Sequence, residues 1–330
     1  MASNIFSGKR ILVTGGGGFI GSYLTERLLG LGAKVRVPVQ KGDQKAKIFL
    51  KDALAKVEFL ECDLSSMPEC IKATKSINFV FHLAGFVRGV GYNKTHPAEM
   101  YTINTLINTN VLEAARINKV ERYMFTSSAC GYPLNAKIPL VEDDFFEGDM
   151  EPTNATYGWA KRMGEVQAKA YAEQYSMKIA IVRPFNVYGP RDNFNLEECH
   201  VVPALVRKAV EKWDPFIIWG DGTPTRVFVY VDDMVEGMLL AMEKYCCADP
   251  LNLGSEEEIT MKELAGMIIR LSGYNGAKIK FDSSKPGGQP RRCASIEKAK
   301  EKIGFVPKVR LEQGLKQTIK WFSENRGMYK

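Results

Sequence analysis

The first half of the chain alternates short apolar runs with longer stretches in which apolar residues recur every three or four positions. That alternation predicts buried strands of a parallel sheet wrapped by amphipathic helices. Strands are expected at 10–14, 34–39, 57–61, 79–83, 122–127 and 178–183. Two long helices are expected at 97–118, with Pro97 in its first turn, and at 155–175. Beyond Arg183 the pattern changes to Gly/Pro-punctuated sequence from Asn186 to His200, followed by shorter and less regular elements. The expected fold class is α/β, a Rossmann-type doubly wound parallel sheet with a smaller mixed α/β substrate-binding lobe. A dinucleotide-binding domain is expected over 1–185 and the lobe over 186–330, with a segment near 215–250 returning to the first.

Composition narrows the class. A chain of 330 residues, 45% hydrophobic and 25% charged, can bury a sizeable core. No run approaches the roughly 20 apolar residues of a membrane span. Residues 1–10 carry no apolar signal-peptide core, so a cytoplasmic location is expected. Cys62, Cys70, Cys130, Cys199, Cys246, Cys247 and Cys293 form no C-x-x-C framework and no His-rich spacing, which predicts free thiols and no metal. The net charge of +7 is dispersed, without the basic run of a nucleic-acid surface. Small phosphorylated ligands suit it at least as well.

The first strand runs into Thr14-Gly15-Gly16-Gly17-Gly18-Phe19-Ile20-Gly21 and then directly into a helical pattern. Gly15, Gly18 and Gly21, three apart, predict a tight turn that brings backbone close to a pyrophosphate resting on the helix N-terminus, beside Phe19 and Ile20. No Asp or Glu lies between Glu26 and Asp43, where an NAD site places the acid that holds the ribose hydroxyls. Arg36, Gln40 or Lys41 would instead accept a 2'-phosphate, which favours NADP(H) over NAD(H). The plainer reading of Arg36 and Lys41 is solvated surface charge. Asp63 and Leu64, and Leu83, Ala84 and Gly85, follow strands at the edge where ligands bind in open parallel sheets. His82 reads as a satisfied strand-end histidine.

Tyr157 and Lys161 stand four residues apart on one face of the second long helix. The lysine is expected to lower the phenol's pKa and to bind the nicotinamide ribose, while Tyr157 exchanges a proton with a substrate oxygen as hydride moves. Ser128, just past the fifth strand, supplies a hydroxyl to polarise the reacting carbonyl.

The ordered strings T-G-G-G-G-F-I-G, H-L-A-G, S-S-A-C-G-Y-P, Y-G-W-A-K, R-P-F-N-V-Y-G-P and G-D-G-T-P-T-R-V-F-V-Y-V-D-D cover nearly the whole chain. Together they resemble the extended short-chain dehydrogenases of the NAD-dependent epimerase/dehydratase family, which act on nucleotide sugars. Cys130 and His200, each in its own matching string, look like the GDP-L-fucose synthase branch; the Cys130 region and residues 98–116 also resemble GDP-mannose 3,5-epimerases. The resemblance implies a GDP-linked 4-keto sugar on which Cys130 and His200 exchange the acidified protons of C3 and C5. It implies that Asn186, Val201, Lys208, Trp219, Arg226 and Arg292 hold the nucleotide sugar, the two arginines gripping its phosphates. The plainer readings are a solvated charge for Lys208 and core packing for Trp219. Asp232 and Asp233 are expected to cap a helix over 234–245. It further implies a homodimer built on the helices at 97–118 and 155–175. Gly131 stands where the family carries a bulkier residue, and the glycine loop is of the general family type. Three functions stay open: a 3,5-epimerase with NADPH-dependent 4-keto reduction, a redox-neutral epimerase with bound NAD(P), and a non-catalytic sugar-nucleotide or RNA-binding relative.

Overall fold

A computed structural model describes residues 4–87, 90–284 and 289–329. The chain begins β1 (Arg10–Thr14), α1 (Phe19–Gly30), β2 (Lys34–Val39), α2 (Lys45–Phe49), β3 (Val57–Glu61), α3 (Met67–Thr74) and β4 (Phe79–His82). Next come α4 (Val90–Thr95), α5 (Pro97–Ile117), β5 (Arg122–Thr126), α6 (Ala155–Tyr175) and β6 (Ile179–Pro184). After them stand β7 (Val187–Tyr188), α7 (Val201–Val210), β8 (Phe216–Trp219), β9 (Thr225–Val227), β10 (Val229–Tyr230), α8 (Val231–Lys244) and β11 (Cys247–Leu253). The chain closes with β12 (Glu258–Thr260), α9 (Met261–Ser272), β13 (Ile279–Asp282), β14 (Arg291–Arg292), α10 (Glu297–Ile303) and α11 (Leu311–Asn325).

Seven strands form one sheet in the order β11-β6-β5-β4-β1-β2-β3, every pair parallel. Alternate residues of each strand go to opposite cores, as the two-residue side-chain period requires. Ile11, Val13, Phe79, Phe81, Ala180 and Val182 pack with Leu24 and Leu28 of α1 and Met234 and Met238 of α8. Leu12, Val80, Tyr123, Phe125, Ile179 and Ile181 pack on the other face with Ala73, Val111, Ala115 and Ala168 of α3, α5 and α6. The α/β doubly wound class follows from that two-sided burial. A third core, with Phe194, Val206, Phe216, Leu264, Leu315 and Phe322, belongs to the smaller lobe. Among the described residues no helix is long and apolar enough to cross a membrane.

The strands and the two long helices match the expected ranges to within a residue at each end. The capping role of Asp232 and Asp233 needs correction. The helix starts three residues earlier than expected, at Val231 after Tyr230, with no side-chain cap. Both aspartates therefore lie in its first turn, favourable to the helix dipole, and Asp233 accepts the backbone N–H of Val309 instead.

Between α6 and the sheet lies a buried ion pair. Arg183 of β6 grips Glu165 of α6 with both ends of its fork, at 2.9 and 2.8 Å, and both side chains are almost fully buried. Its remaining donors go to the Tyr132 hydroxyl (2.9 Å) and the Glu142 carbonyl (2.8 Å). Tyr132 donates to Asn252 of β11, whose backbone N–H donates to the Glu142 carboxylate. Burial opposes the Arg183 charge, yet the carboxylate outweighs it and holds the guanidinium pKa above its ordinary value. Replacing Glu165 by Gln leaves a buried cation without its counter-charge, and a loss of about 3–5 kcal/mol of stability is expected in urea titration.

Candidate active site

The ligand edge of the sheet is built at its switch point, where the connections from β1 and β4 diverge. Gly15 turns with a φ of +70°, and a Cβ there would stand 3.1 Å from the backbone nitrogen of Ala84. The loops after β1 and β4 therefore approach each other through backbone, which the absence of a side chain at Gly15 allows. Gly18 leads into α1 with no side-chain cap, so the first-turn N–H groups of Phe19, Ile20 and Gly21 remain for an anion. Asp63 and Leu64 follow β3; Asp63 is exposed and held by the backbone and hydroxyl of Ser65, which lower its carboxyl pKa. Gly85 is exposed, and a Cβ there would stand 3.9 Å from the Lys161 Nζ.

Gln40 and Lys41 follow β2, exposed on this same edge. Arg36 does not join them, contrary to the sequence-based expectation. Its guanidinium binds Glu58 of the neighbouring β3 (2.9 and 2.8 Å) and donates to the carbonyls of Ala73 and Lys75, and the side chain is buried. Those partners use its fork within the protein, and Arg36 is a structural tie between β2, β3 and α3.

The expected catalytic residues lie one crossover away, where β5 meets α6. β5 leads through Ser127 to Ser128, whose hydroxyl accepts the Cys130 N–H at 3.1 Å and caps the short turn Ala129–Gly131. Gly131 has no room for a side chain, because a Cβ would overlap the Phe145 ring. Tyr157 comes from α6, and the nearby Ser128 side chain acts to lower the pKa of its phenol. Lys161, one turn further, is buried, stands 5.7 Å from the Tyr157 ring and donates to the Thr126 carbonyl at 2.8 Å. Four of the five expected catalytic residues, Ser128, Cys130, Tyr157 and Lys161, are thus gathered.

The expected effect of the lysine on the phenol is corrected by the structure. Burial raises the Tyr157 pKa, a charge on Cys130 would raise it further, and only the Ser128 side chain works in the other direction. Burial also pushes Lys161 down, to about 8, despite the opposing pull of Cys130 and Glu165. Desolvation therefore dominates both groups and favours their neutral forms. His82 follows the same rule: burial and then Lys161 lower it to about 3. As the plainer reading expected, the imidazole is satisfied, between Thr14 Oγ1 (2.8 Å) and Asn108 Oδ1 (3.1 Å).

His200 stands exposed at the head of α7, just before the equally exposed Val201. Among the described residues no hydrogen bond joins it to Cys130. Its charged neighbour is Asp192, whose buried carboxyl burial raises to about 6 while His200 draws it down. Further into the lobe, Arg226 and Arg292 are register partners on β9 and β14. Arg226 donates to two backbone carbonyls, and burial and then the Arg292 charge lower it to about 10. Two adjacent like charges with no ion-pair partner among the described residues suit an anion between them. Trp219 is 53% exposed, which is not the core packing of its plainer reading. Asn186 turns with a φ of +40° and spends one amide hydrogen on the Val227 carbonyl, while Lys208 donates to the Ile217 carbonyl and ties α7 to β8. For Lys208 the structure supplies a protein partner in place of the expected ligand.

Several side chains that shape the site carry no local signature. Arg162, Phe145 and Asn108 read in the sequence as ordinary helix or loop residues, and only tertiary contacts distinguish them. Arg191 is similar: it pairs with Glu26 of α1 at 3.0 Å and so fastens the loop before His200 to the cofactor helix. Among the described residues no group of His, Cys, Asp and Glu could hold a metal ion.

Residues 11–254 match the model of the NAD dependent epimerase/dehydratase family. The probable GDP-L-fucose synthase 1 of Oryza sativa subsp. japonica is 34% identical over 323 residues, 96% of this chain and 93% of that protein. GDP-mannose 3,5-epimerase 1 of Oryza sativa subsp. indica is 35% identical over 321 residues, 96% of this chain and 82% of that protein. The crystal structure of a GDP-L-fucose synthetase from Naegleria fowleri bound to NADP superposes with a TM-score of 0.80 at 27% identity, covering 97% of this chain and 96% of that one.

A buried lysine held near 8 has a measurable consequence. Between pH 8 and 10.5 the unfolded chain binds the Lys161 proton and the folded chain does not, so this residue makes stability rise with pH across that window. Lys161→Met should remove that rise, seen as a melting-temperature difference between the two proteins that changes over the same window.

Proposed function

The chain belongs to the NAD dependent epimerase/dehydratase family, and from that premise we propose that it epimerises C3 and C5 of a GDP-linked 4-keto sugar and then reduces C4 with NADPH. What carries this reading is the cluster of Ser128, Cys130, Tyr157 and Lys161, in which burial keeps the phenol protonated. A neutral phenol is the form that can give a proton to an oxygen receiving negative charge.

The first-turn N–H groups of α1 would hold the dinucleotide's pyrophosphate and Asp63 its adenine, with Leu64, Leu83, Ala84 and Gly85 leaving room. Gln40 and Lys41, exposed where an NAD site carries an acid, would receive a 2'-phosphate. Lys161 would hold the nicotinamide ribose. Unpartnered buried hydroxyls of Thr126 and Ser127 at the end of β5 fit polar ligand groups there. When bound, NADPH supplies the hydride. Arg226 and Arg292 would grip the sugar diphosphate, Asn186 and Val201 its surroundings, and Trp219 offers an open face for stacking.

The 4-ketone makes the hydrogens on C3 and C5 acidic. Cys130 and His200, as base and acid, would remove each proton from one face and return it to the other, while Ser128 and Tyr157 hydrogen-bond the enolate oxygen. Tyr157 then donates its proton to O4 as C4 is reduced. The exposed apolar residues Tyr101, Leu106, Trp159, Met163 and Val166 on the mutually packed α5 and α6 support a homodimer through those helices. The seven unpaired thiols support a reducing, cytoplasmic location.

Incubation with GDP-4-keto-6-deoxymannose and NADPH in heavy water should consume NADPH and place deuterium at C3 and C5. Turnover of a GDP-hexose without net NADPH loss would instead establish the redox-neutral epimerase. Cys130→Ser should slow deuterium uptake by about 100-fold or more, the usual range for losing a proton-transfer group, with dinucleotide binding intact. Tyr157→Phe should chiefly stop NADPH oxidation.

A further inference from the structure

Arg162 directly follows Lys161 on α6, yet it points into the protein and is 2% exposed. Among the described residues it forms no ion pair with a carboxylate. Its guanidinium lies over the rings of Trp159, Phe146 and Phe145, at 5.0, 5.6 and 5.7 Å. Nε donates to the Gly131 carbonyl and Nη2 to the Gly148 carbonyl, each at 2.8 Å. The carboxylates of Asp149 and Glu165 support its charge without touching it, yet burial outweighs them and lowers its pKa, and an apolar side chain would fill this place without that penalty. What the arginine adds is direction: a planar fork fixes two carbonyls relative to each other and to the helix.

One of those carbonyls belongs to the turn that carries Cys130. That turn is held at its start by the Ser128 hydroxyl on the Cys130 N–H. In its middle it lies close on α6, since a Cβ on Gly158 would come within 2.7 Å of the Cys130 carbonyl oxygen. Its last residue, Gly131, has no side chain with which to anchor itself, because Phe145 occupies the space. The Arg162 bond supplies the missing anchor. Tyr157 sits on the same helix five residues earlier, so the thiol's turn and the phenol share one rigid support.

We propose that Arg162 is a positioning residue that sets the Cys130 thiol relative to Tyr157, acting on proton exchange at C3 and C5 and not on hydride transfer at C4. This rests on the proposed role of Cys130 in that exchange. A lysine at 162 keeps the charge and can satisfy one carbonyl, but a compact ammonium does not span both.

The test separates the two chemistries in the full-length protein. Exchange is read as deuterium uptake into the GDP-4-keto sugar; hydride transfer is read in reverse, from GDP-L-fucose to NADP+, which needs no epimerisation. Arg162→Lys should leave reverse hydride transfer within about twofold and slow deuterium uptake on the order of 10- to 100-fold, the scale of an ångström misplacement. Equal losses in both, or unchanged uptake, overturn the inference and leave the proposed function standing. A wild-type protein that exchanges no hydrogen at C3 or C5 overturns the proposed function and this inference with it. Should Arg162→Lys fail to fold, Arg162→Gln, which keeps one amide donor, is read the same way; unfolding of both assigns Arg162 to stability alone and overturns the proposal.

Discussion

The ion pair between Arg183 and Glu165 is the constraint on which the reaction centre depends. Neither charge reaches water, so each would cost several kcal/mol to bury alone. The pair survives because the two-pronged geometry is met on one side and Tyr132 and the Glu142 carbonyl take further donors on the other. The Phe145 ring, 3.6 Å from the guanidinium carbon, covers it. Since Glu165 lies on α6 and Arg183 on β6, this contact sets the depth and rotation of the helix that carries Tyr157 and Lys161 against the sheet that carries Ser128.

Phe145 links that constraint to the thiol. The same ring lies beside Arg183, beside Arg162 and over Gly131. The absence of a side chain at Gly131 leaves that space to the aromatic ring of Phe145. A small local core, with Ala129, Tyr132, Leu140 and Phe185, keeps this arrangement dry. Two arginines on neighbouring elements repel each other there, which is tolerable because each is bound to carbonyls or a carboxylate of its own.

Desolvation then decides the protonation of the site. Tyr157 is pushed up and Lys161 down, and the Ser128 side chain does not reverse the first shift. Both shifts disfavour charge, though a lysine held near 8 still carries its proton at neutral pH. Burial and the neighbouring Arg292 lower Arg226 too, to about 10, so that two guanidinium groups stand side by side on β9 and β14. A protonated acid at one end and an uncompensated positive pair at the other match a sugar with a ketone at one end of its reactive half and a diphosphate at the other.

The chain's own periodicity determined the doubly wound sheet, because strand and helix repeats are local and each strand here is buried on both faces. It also placed Ser128 and Cys130 just past a strand end and Tyr157 and Lys161 on one helix face, since strand ends and a four-residue helical spacing leave few alternatives. Long side chains escaped it. Arg36 and Lys208 read as basic residues near a ligand edge and Arg162 as an ordinary helix residue, yet each is turned to carbonyls or a carboxylate from elements 9 to 39 residues away. A flexible stem can deliver its charge to solvent, ligand or backbone, and which of these it meets is settled only when distant segments pack around it.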